Sequence, residues 1–265
     1  MENTRNKDYI INQIMEFVES SPLNVLASQN NIRIYETPII GFASSYDPYF
    51  KEFCKPGIVG PKFILPEDWL PNAKSVIVYF LPFTKEIRNS NRQCGLPSEE
   101  WISARIDGEN FNNRLRAFLV DLLKNLNSDA VSPGIDSRFS VEQNISNWSE
   151  RHAAFVAGLG TFGLHRALIT SKGTAGRIGS VITTLDLTAT DRNYTQYFEY
   201  CPYLTQGKCG ACINRCPPSS ITKEGKDNKS CGDYIEKEIL SIYAPKYGCG
   251  KCNINVPCEF RIPEI

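Results

Sequence analysis

The chain has 265 residues, of which 42% are hydrophobic and 22% charged, enough apolar content to bury a sizeable core in one large domain or two smaller ones. Disordered and collagen-like chains are thereby excluded, and 29 basic residues against 29 acidic ones give no global pull toward nucleic acid or an anionic membrane. Met1 to Asp8 hold no apolar signal core or twin arginine, and no later run is long and apolar enough to span a bilayer, so the expectation is a soluble cytoplasmic protein. The Asn-x-Ser/Thr sequons at Asn144, Asn147, Asn193 and Asn228 carry no information in such a protein.

Ile10, Ile11, Ile14, Met15 and Val18 recur at helical spacing before Ser20-Ser21-Pro22, which predicts a first helix that stops there. Ser75-Val-Ile-Val-Tyr-Phe-Leu81 is a continuous apolar run bounded by Asn72 and Pro82, and reads as a strand buried on both faces. Phe111, Leu115, Phe118, Leu119, Leu122, Leu123 and Leu126 make one stripe behind Asp107-Gly108, a helix whose stripe is core. Asn147-Trp-Ser-Glu150 fits a capping pattern ahead of Arg151 to Ala157, and Gly158 stands where that helix would stop.

Gly158-Leu159-Gly160-Thr161-Phe162-Gly163 follows. Its spaced glycines admit positive φ and close approach of backbone to a ligand, or tight packing of a turn. They spell G-x-G-x-x-G, but a dinucleotide site wants a strand immediately before that motif, and here a helix precedes. An apolar stretch from Ala167 to Thr170 and a strand from Arg177 through Leu185 complete the front part. His152 and His165 are the chain's imidazoles, each as readily a satisfied core group as a ligand-facing one. Helices mixed with strands give an α/β (α+β) fold class. No G-x-x-x-x-G-K-S/T, H-E-x-x-H or G-x-S-x-G motif is present.

Eight of the ten cysteines lie between Cys201 and Cys258, and this shift in composition predicts a front domain of residues 1–195 and a cysteine-rich domain of residues 196–265. Cys54 and Cys94 read as ordinary thiols. In a reducing cytosol, clustered thiols point to metal rather than to disulfides. Cys209-Gly-Ala-Cys212-Ile-Asn-Arg-Cys216-Pro217 is the latter part of the bacterial ferredoxin run, with Gln206 where its first cysteine would fall. Cys201 supplies that ligand if the intervening loop bulges. Cys231, Cys249-Gly-Lys-Cys252 and Cys258 follow, making eight thiolates, the number that two 4Fe-4S clusters need. Because the cysteine before proline ligates the other cluster in two-cluster ferredoxins, Cys201, Cys209, Cys212 and Cys258 go to one and Cys216, Cys231, Cys249 and Cys252 to the second. Structural zinc stays open: Cys209, Cys212, Cys249 and Cys252 would make one four-thiolate site, with the other cysteines unexplained.

Trp69-Leu-Pro-Asn-Ala-Lys-Ser-Val-Ile-Val-Tyr-Phe-Leu-Pro82, Glu109-Asn-Phe111, Glu150-Arg151 leading to Ala157-Gly-Leu-Gly160, and Gly163 come in that order ahead of the cysteine sets. Together they resemble the epoxyqueuosine reductases, whose core the reductive dehalogenases share. The resemblance covers nearly the whole chain. It implies a nitroreductase-like core that holds a corrinoid (cobalamin), with a ferredoxin-like C-terminal domain whose two 4Fe-4S clusters feed it electrons. It further implies corrinoid contacts at Gly158, Leu159, Gly160 and Gly163 with Gly179 and Ser180 nearby, and substrate-side roles for Glu109, Asn110 and Asn144. Glu150 stands behind these because capping already explains it, and Glu109 is equally a solvated first-turn acid.

The chain departs from the family at named positions. Asn110-Phe111-Asn112 stands where the family usually reads Asp-Tyr-His, and Asn144 stands at the position of its catalytic aspartate, where an amide cannot donate a proton as an acid can. The chain ends at Ile265, seven residues after Cys258, without the helical repeats that dock transfer RNA. The expected activity is therefore reduction of a small-molecule substrate rather than of a nucleic acid, with an external ferredoxin- or flavodoxin-like protein as electron donor. An electron-transfer protein serving a partner, or a flavin in place of the corrinoid, are the other readings.

Overall fold

The computed structural model describes residues 2–264 other than Ser28, Asn30, Gln143 and Asn144. At its centre lies an antiparallel sheet whose strands run in the order Ile39–Ser44, Ser75–Pro82, Gly176–Thr183, Ala130–Val131. The apolar run of the second strand is buried at every position, as its composition requires. Alternation along the strand divides it between two cores. Ile77, Tyr79 and Leu81 join Ile10, Ile14 and Val18 of the helix Glu2–Ser20 and Phe111, Leu115 and Leu119 of the helix Glu99–Asn125. Val76, Val78 and Phe80 join Trp69, Trp148 and the alanines of the helix Glu150–Val156 on the opposite face. The result is a helix-sheet-helix sandwich of the mixed α/β class.

The long helix begins at Glu99, well before Asp107-Gly108, because the apolar stripe continues backward through Trp101, Ile102 and Ala104, all buried. Ser98 caps it by accepting the Trp101 amide at 3.1 Å. Gly108 lies inside the helix and lets it pass against the Tyr35 ring, which occupies the space of a β-carbon. The strand expected from Arg177 to Leu185 runs Gly176–Thr183.

At the next helix the expected cap is not made. Ser149 is its N-cap, yet its hydroxyl pairs with His152 Nδ1 at 2.7 Å instead of a backbone amide. Asn147 closes its own loop, accepting from Ser140 N at 3.0 Å and donating to Arg138 O at 2.8 Å. The Glu150 carboxylate is thus released from capping. Gly158 ends this helix in the left-handed region, at φ +81°. Gly160–Phe162 and Leu168–Thr170 then form an antiparallel hairpin.

The cysteine-rich segment sits on that hairpin, with Cys201, Cys212, Ile221, Val256 and Cys258 packed against Leu164 and Ile169. The chain after Cys258 returns to the front core. Thr174 N donates to Cys258 O at 2.9 Å and Ala175 N to Glu259 O at 3.1 Å. The Glu259 side chain, 1% exposed, pairs with Arg92 at 2.8 Å and Arg88 at 3.3 Å. No described helix is long and apolar enough to cross a membrane.

Candidate functional site

The structure gathers the eight clustered cysteines into two quartets. Cys201, Cys209, Cys212 and Cys258 line one small cavity. Cys216, Cys231, Cys249 and Cys252 line another, of about 450 Å³. The helix Ala211–Arg215 lies between them, so that Cys212 at its start faces the first quartet and Cys216, just past its end, faces the second. A short helix, Pro202–Gln206, and the left-handed Gly207 take up the slack between Cys201 and Cys209. This is the bulge that the displaced first cysteine requires. Cys54 is half-buried and Cys94 exposed, and neither lines these cavities.

Burial pushes the Cys212 thiol up to about 11, with Cys201 and Cys209 acting in the same direction. Burial likewise pushes Cys252 up to about 12, against the pull of Lys226 and with the help of its quartet neighbours. Burial and the neighbouring thiols thus both disfavour a bare thiolate at these positions. Among the described residues no three His, Cys, Asp or Glu side chains converge on a single-ion position.

A further cavity of about 430 Å³ adjoins that of the second quartet and shares Arg151, Gly176, Arg177 and Asn253 with it. Arg116 Nε, Glu150 Oε2, Thr174 Oγ1 and Arg177 Nε belong to residues on its wall, and all four atoms are buried without a hydrogen-bond partner. Buried polar groups are rarely left so, and several at one cavity mark the place of a polar ligand or ordered water. Arg105, Arg151, Arg177 and Lys226 make the side toward the second quartet strongly cationic.

Arg116, whose side chain is 4% exposed, organises the cavity's carboxylates. Its Nη1 donates to Glu109 Oε1 and Asn113 Oδ1, both at 2.7 Å, and its Nη2 to Glu150 Oε1 at 3.1 Å. Arg177 Nη1 lies 3.3 Å from Glu109 Oε2. Burial alone would raise the pKa of Glu109, but Arg177 and Arg116 outweigh it and hold this carboxyl below the usual range. At Glu150 burial wins over Arg116 and the pKa is raised. One guanidinium thus holds two carboxyls whose proton affinities are driven apart, the pattern of an acid beside a permanent anion. Burial pushes both His152 and His165 down to about 3, so both are neutral.

Of the residues singled out in the sequence, Glu109 lines this cavity, whereas Asn110 is exposed on the outer side of its helix and lines no part of it. The inward-facing amide is Asn112, which accepts from Tyr79 OH at 2.8 Å and donates to Ile178 O at 3.1 Å. Asn144 lies outside the described residues. Gly158, Leu159 and Gly160 line neither large cavity, and packing accounts for them. Leu159 is buried in the second core, and a β-carbon on Gly160 would run into the Ile169 carbonyl across the hairpin. Gly163 packs beneath the His165 ring, and Gly179 against Tyr79 and Asn112. Ser180 accepts from Trp148 Nε1 at 3.0 Å and so props a wall of the cavity from behind. The neighbouring residues that do line the cavity are Ala167, Leu168 and Gly176 to Ile178. Sequence reasoning passed over Arg116 and Arg177 and set Glu150 behind the other candidates on the strength of its capping pattern. The available signal was Glu109, Asn112 and Arg116 at helical spacing, a polar line beside an apolar stripe.

No family model matches the sequence. The chain is 24% identical over 210 residues to the epoxyqueuosine reductase of Vibrio cholerae, covering 72% of this chain and 52% of that protein. The epoxyqueuosine reductase structure from Streptococcus thermophilus matches with a TM-score of 0.52 at 18% identity, over 86% of this chain and 64% of that one. A reductive dehalogenase described through B12-dependent dehalogenation matches at 0.54 and 14% identity, over 81% of this chain and 29% of the other. The fold is therefore the one that epoxyqueuosine reductases and reductive dehalogenases share. The chain spans about half the length of the curated protein it matches.

Proposed function

We propose that this protein is an oxidoreductase that uses two 4Fe-4S clusters and a corrinoid to reduce a small-molecule substrate. The observation that carries the reading is adjacency. A cavity with a cysteine quartet on its wall shares Arg151, Gly176, Arg177 and Asn253 with a second one, four of whose wall residues carry a buried polar atom without a partner. A bare electron carrier needs no such second cavity, and this favours a ligand-binding enzyme over an electron-transfer module. The residues fit the groups implied. Cys201, Cys209, Cys212 and Cys258 would hold one cluster, and Cys216, Cys231, Cys249 and Cys252 the other. Arg116, Arg177, Thr174 and Glu150 on the wall of the second cavity are polar groups that suit the amide-bearing rim of a corrinoid, which when bound supplies a redox-active metal for the reduction.

The chain's own groups do the rest. Arg105, Arg151, Arg177 and Lys226 offset the negative charge of a thiolate-bound cluster and of an anionic ligand beside it. Phe80, Trp148 and Leu168 give the neighbouring cavity a dry wall. Glu150, whose pKa burial raises while Arg116 fixes Oε1, is the carboxyl from which a product that takes up a proton on reduction would receive it. Glu109 stays ionised and positions Arg116 and Arg177. Cys209 is exposed, which brings the first quartet to the surface where a ferredoxin- or flavodoxin-like donor reaches it. A reducing cytoplasm suits ten free thiols. Zero net charge and an amide at Asn144 lead away from a transfer RNA substrate.

Anaerobic titration with hydroxocobalamin and, separately, with flavin mononucleotide tests the reading. Saturable binding of the corrinoid, with a shift in its visible spectrum, is expected. Tight flavin binding with none by the corrinoid would replace the cofactor, and binding of neither would return the protein to the electron carriers.

A further inference from the structure

One imidazole has no part in the cavity chemistry and yet lies in the wall of the first quartet. His165 is 3% exposed and follows the hairpin's first strand, Gly160–Phe162. Its orientation is fixed from two sides. The Ala167 amide donates to Nδ1 at 3.0 Å, which makes Nδ1 the acceptor and leaves the ring proton on Nε2. Nε2 points at Cys258 Sγ, 3.4 Å away. The turn is built to keep the ring there: Gly163 N donates to Ala167 O at 2.9 Å, Arg166 takes a positive φ of 63°, and a β-carbon on Gly163 would strike the imidazole. Among the described residues this is the one side-chain N–H within hydrogen-bonding range of any of the eight clustered sulfurs. Backbone N–H groups also reach this quartet, among them Ala211 N to Cys209 Sγ at 3.5 Å.

We infer that His165 is a positioning residue that donates an N–H···S hydrogen bond to Cys258 and thereby raises the reduction potential of the cluster held by the first quartet. The inference rests on the cluster reading above. A donor aimed at a ligating sulfur stabilises the more negative, reduced cluster more than the oxidised one, and such bonds are among the protein's controls on cluster potential. The partner sulfur is buried, so water does not replace the donor when it is removed. The quartet thus tuned is the one whose Cys209 is exposed, the natural entry point for an electron from outside.

The experiment is a redox titration of the anaerobically purified protein, followed by electron paramagnetic resonance, on the wild type, His165→Phe and His165→Gln. A hydrogen bond to a charged group is worth a factor of about ten in an equilibrium, so one cluster is expected to become about tenfold harder to reduce in His165→Phe, about 59 mV for one electron. His165→Gln, which returns an N–H near the same position, restores part of the shift. The wild-type protein also answers directly: with 15N-labelled histidine, pulsed resonance on one reduced cluster should detect a histidine nitrogen coupled through the bond. Unchanged potentials in His165→Phe overturn the inference, and where that variant does not assemble its clusters, absence of the nitrogen coupling in the wild type overturns it. Wild-type protein with no iron at all would instead overturn the cluster reading itself.

Discussion

Glu150 and Glu109 bind the same guanidinium and behave oppositely because their surroundings differ. Glu109 is held by two arginines, Glu150 by one and in deeper burial. Glu150→Gln keeps the shape and removes the proton, so turnover is expected to fall by about 10²-fold or more while cluster content is unchanged. The remaining rate should lose the wild type's decline as pH rises through the Glu150 pKa. Stability follows the same two groups. With its folded pKa raised, Glu150 contributes stability that is complete below the unfolded carboxylate value, about 4.3, and is lost as pH rises through the folded value. Glu109, with its pKa lowered, contributes stability above the unfolded value that is lost as pH falls through the folded one. Urea denaturation across a pH series should therefore show the loss on raising pH disappearing in Glu150→Gln and the loss on lowering pH, due to Glu109, persisting. Arg116→Met leaves Glu150 in the wall without its cation and Glu109 with Arg177 alone, and should cost about 3–5 kcal/mol by the same measurement.

At the scale of elements, the hairpin Gly160–Phe162 and Leu168–Thr170 joins the two halves of the site. It presents Ala167 and Leu168 to the polar cavity and Ile169 to the first cysteine quartet. Gly160→Ala, by driving a β-carbon into the Ile169 carbonyl, should destabilise the protein by about 1–3 kcal/mol in urea unfolding. A variant as stable as the wild type would show that the hairpin yields freely. The same glycines illustrate what a sequence conceals. Close approach to a ligand and close approach to another strand demand the same residue, and only the fold tells which applies. The strand Ser75–Pro82 was legible because a continuous apolar run has few other fates, whereas the start of the helix at Glu99 was hidden behind Asp107-Gly108, which look like a break and are not. Glu150 was misread for a related reason. Its local pattern spells a cap, but its carboxylate is claimed by Arg116, whose helix is remote in sequence and adjacent in space.

For the whole molecule, the cysteine spacing was the most informative part of the chain. Thiols that serve one site must meet, and the cysteine before Pro217 led to an interleaved division of the eight into two sets, the same two sets that line two cavities. The polar cavity between the helices had no such signature, because its residues come from distant segments. Cys212→Ser should remove about four irons and leave the other cluster's resonance signal intact. The central claim, that these quartets hold clusters beside a cofactor cavity, is tested most directly by iron, sulfide, zinc and cobalt analysis of anaerobically purified protein, with a visible spectrum taken before and after hydroxocobalamin is added. The account predicts about eight irons and eight sulfides per chain together with a corrinoid spectrum that shifts on binding. Zinc without iron would contradict it.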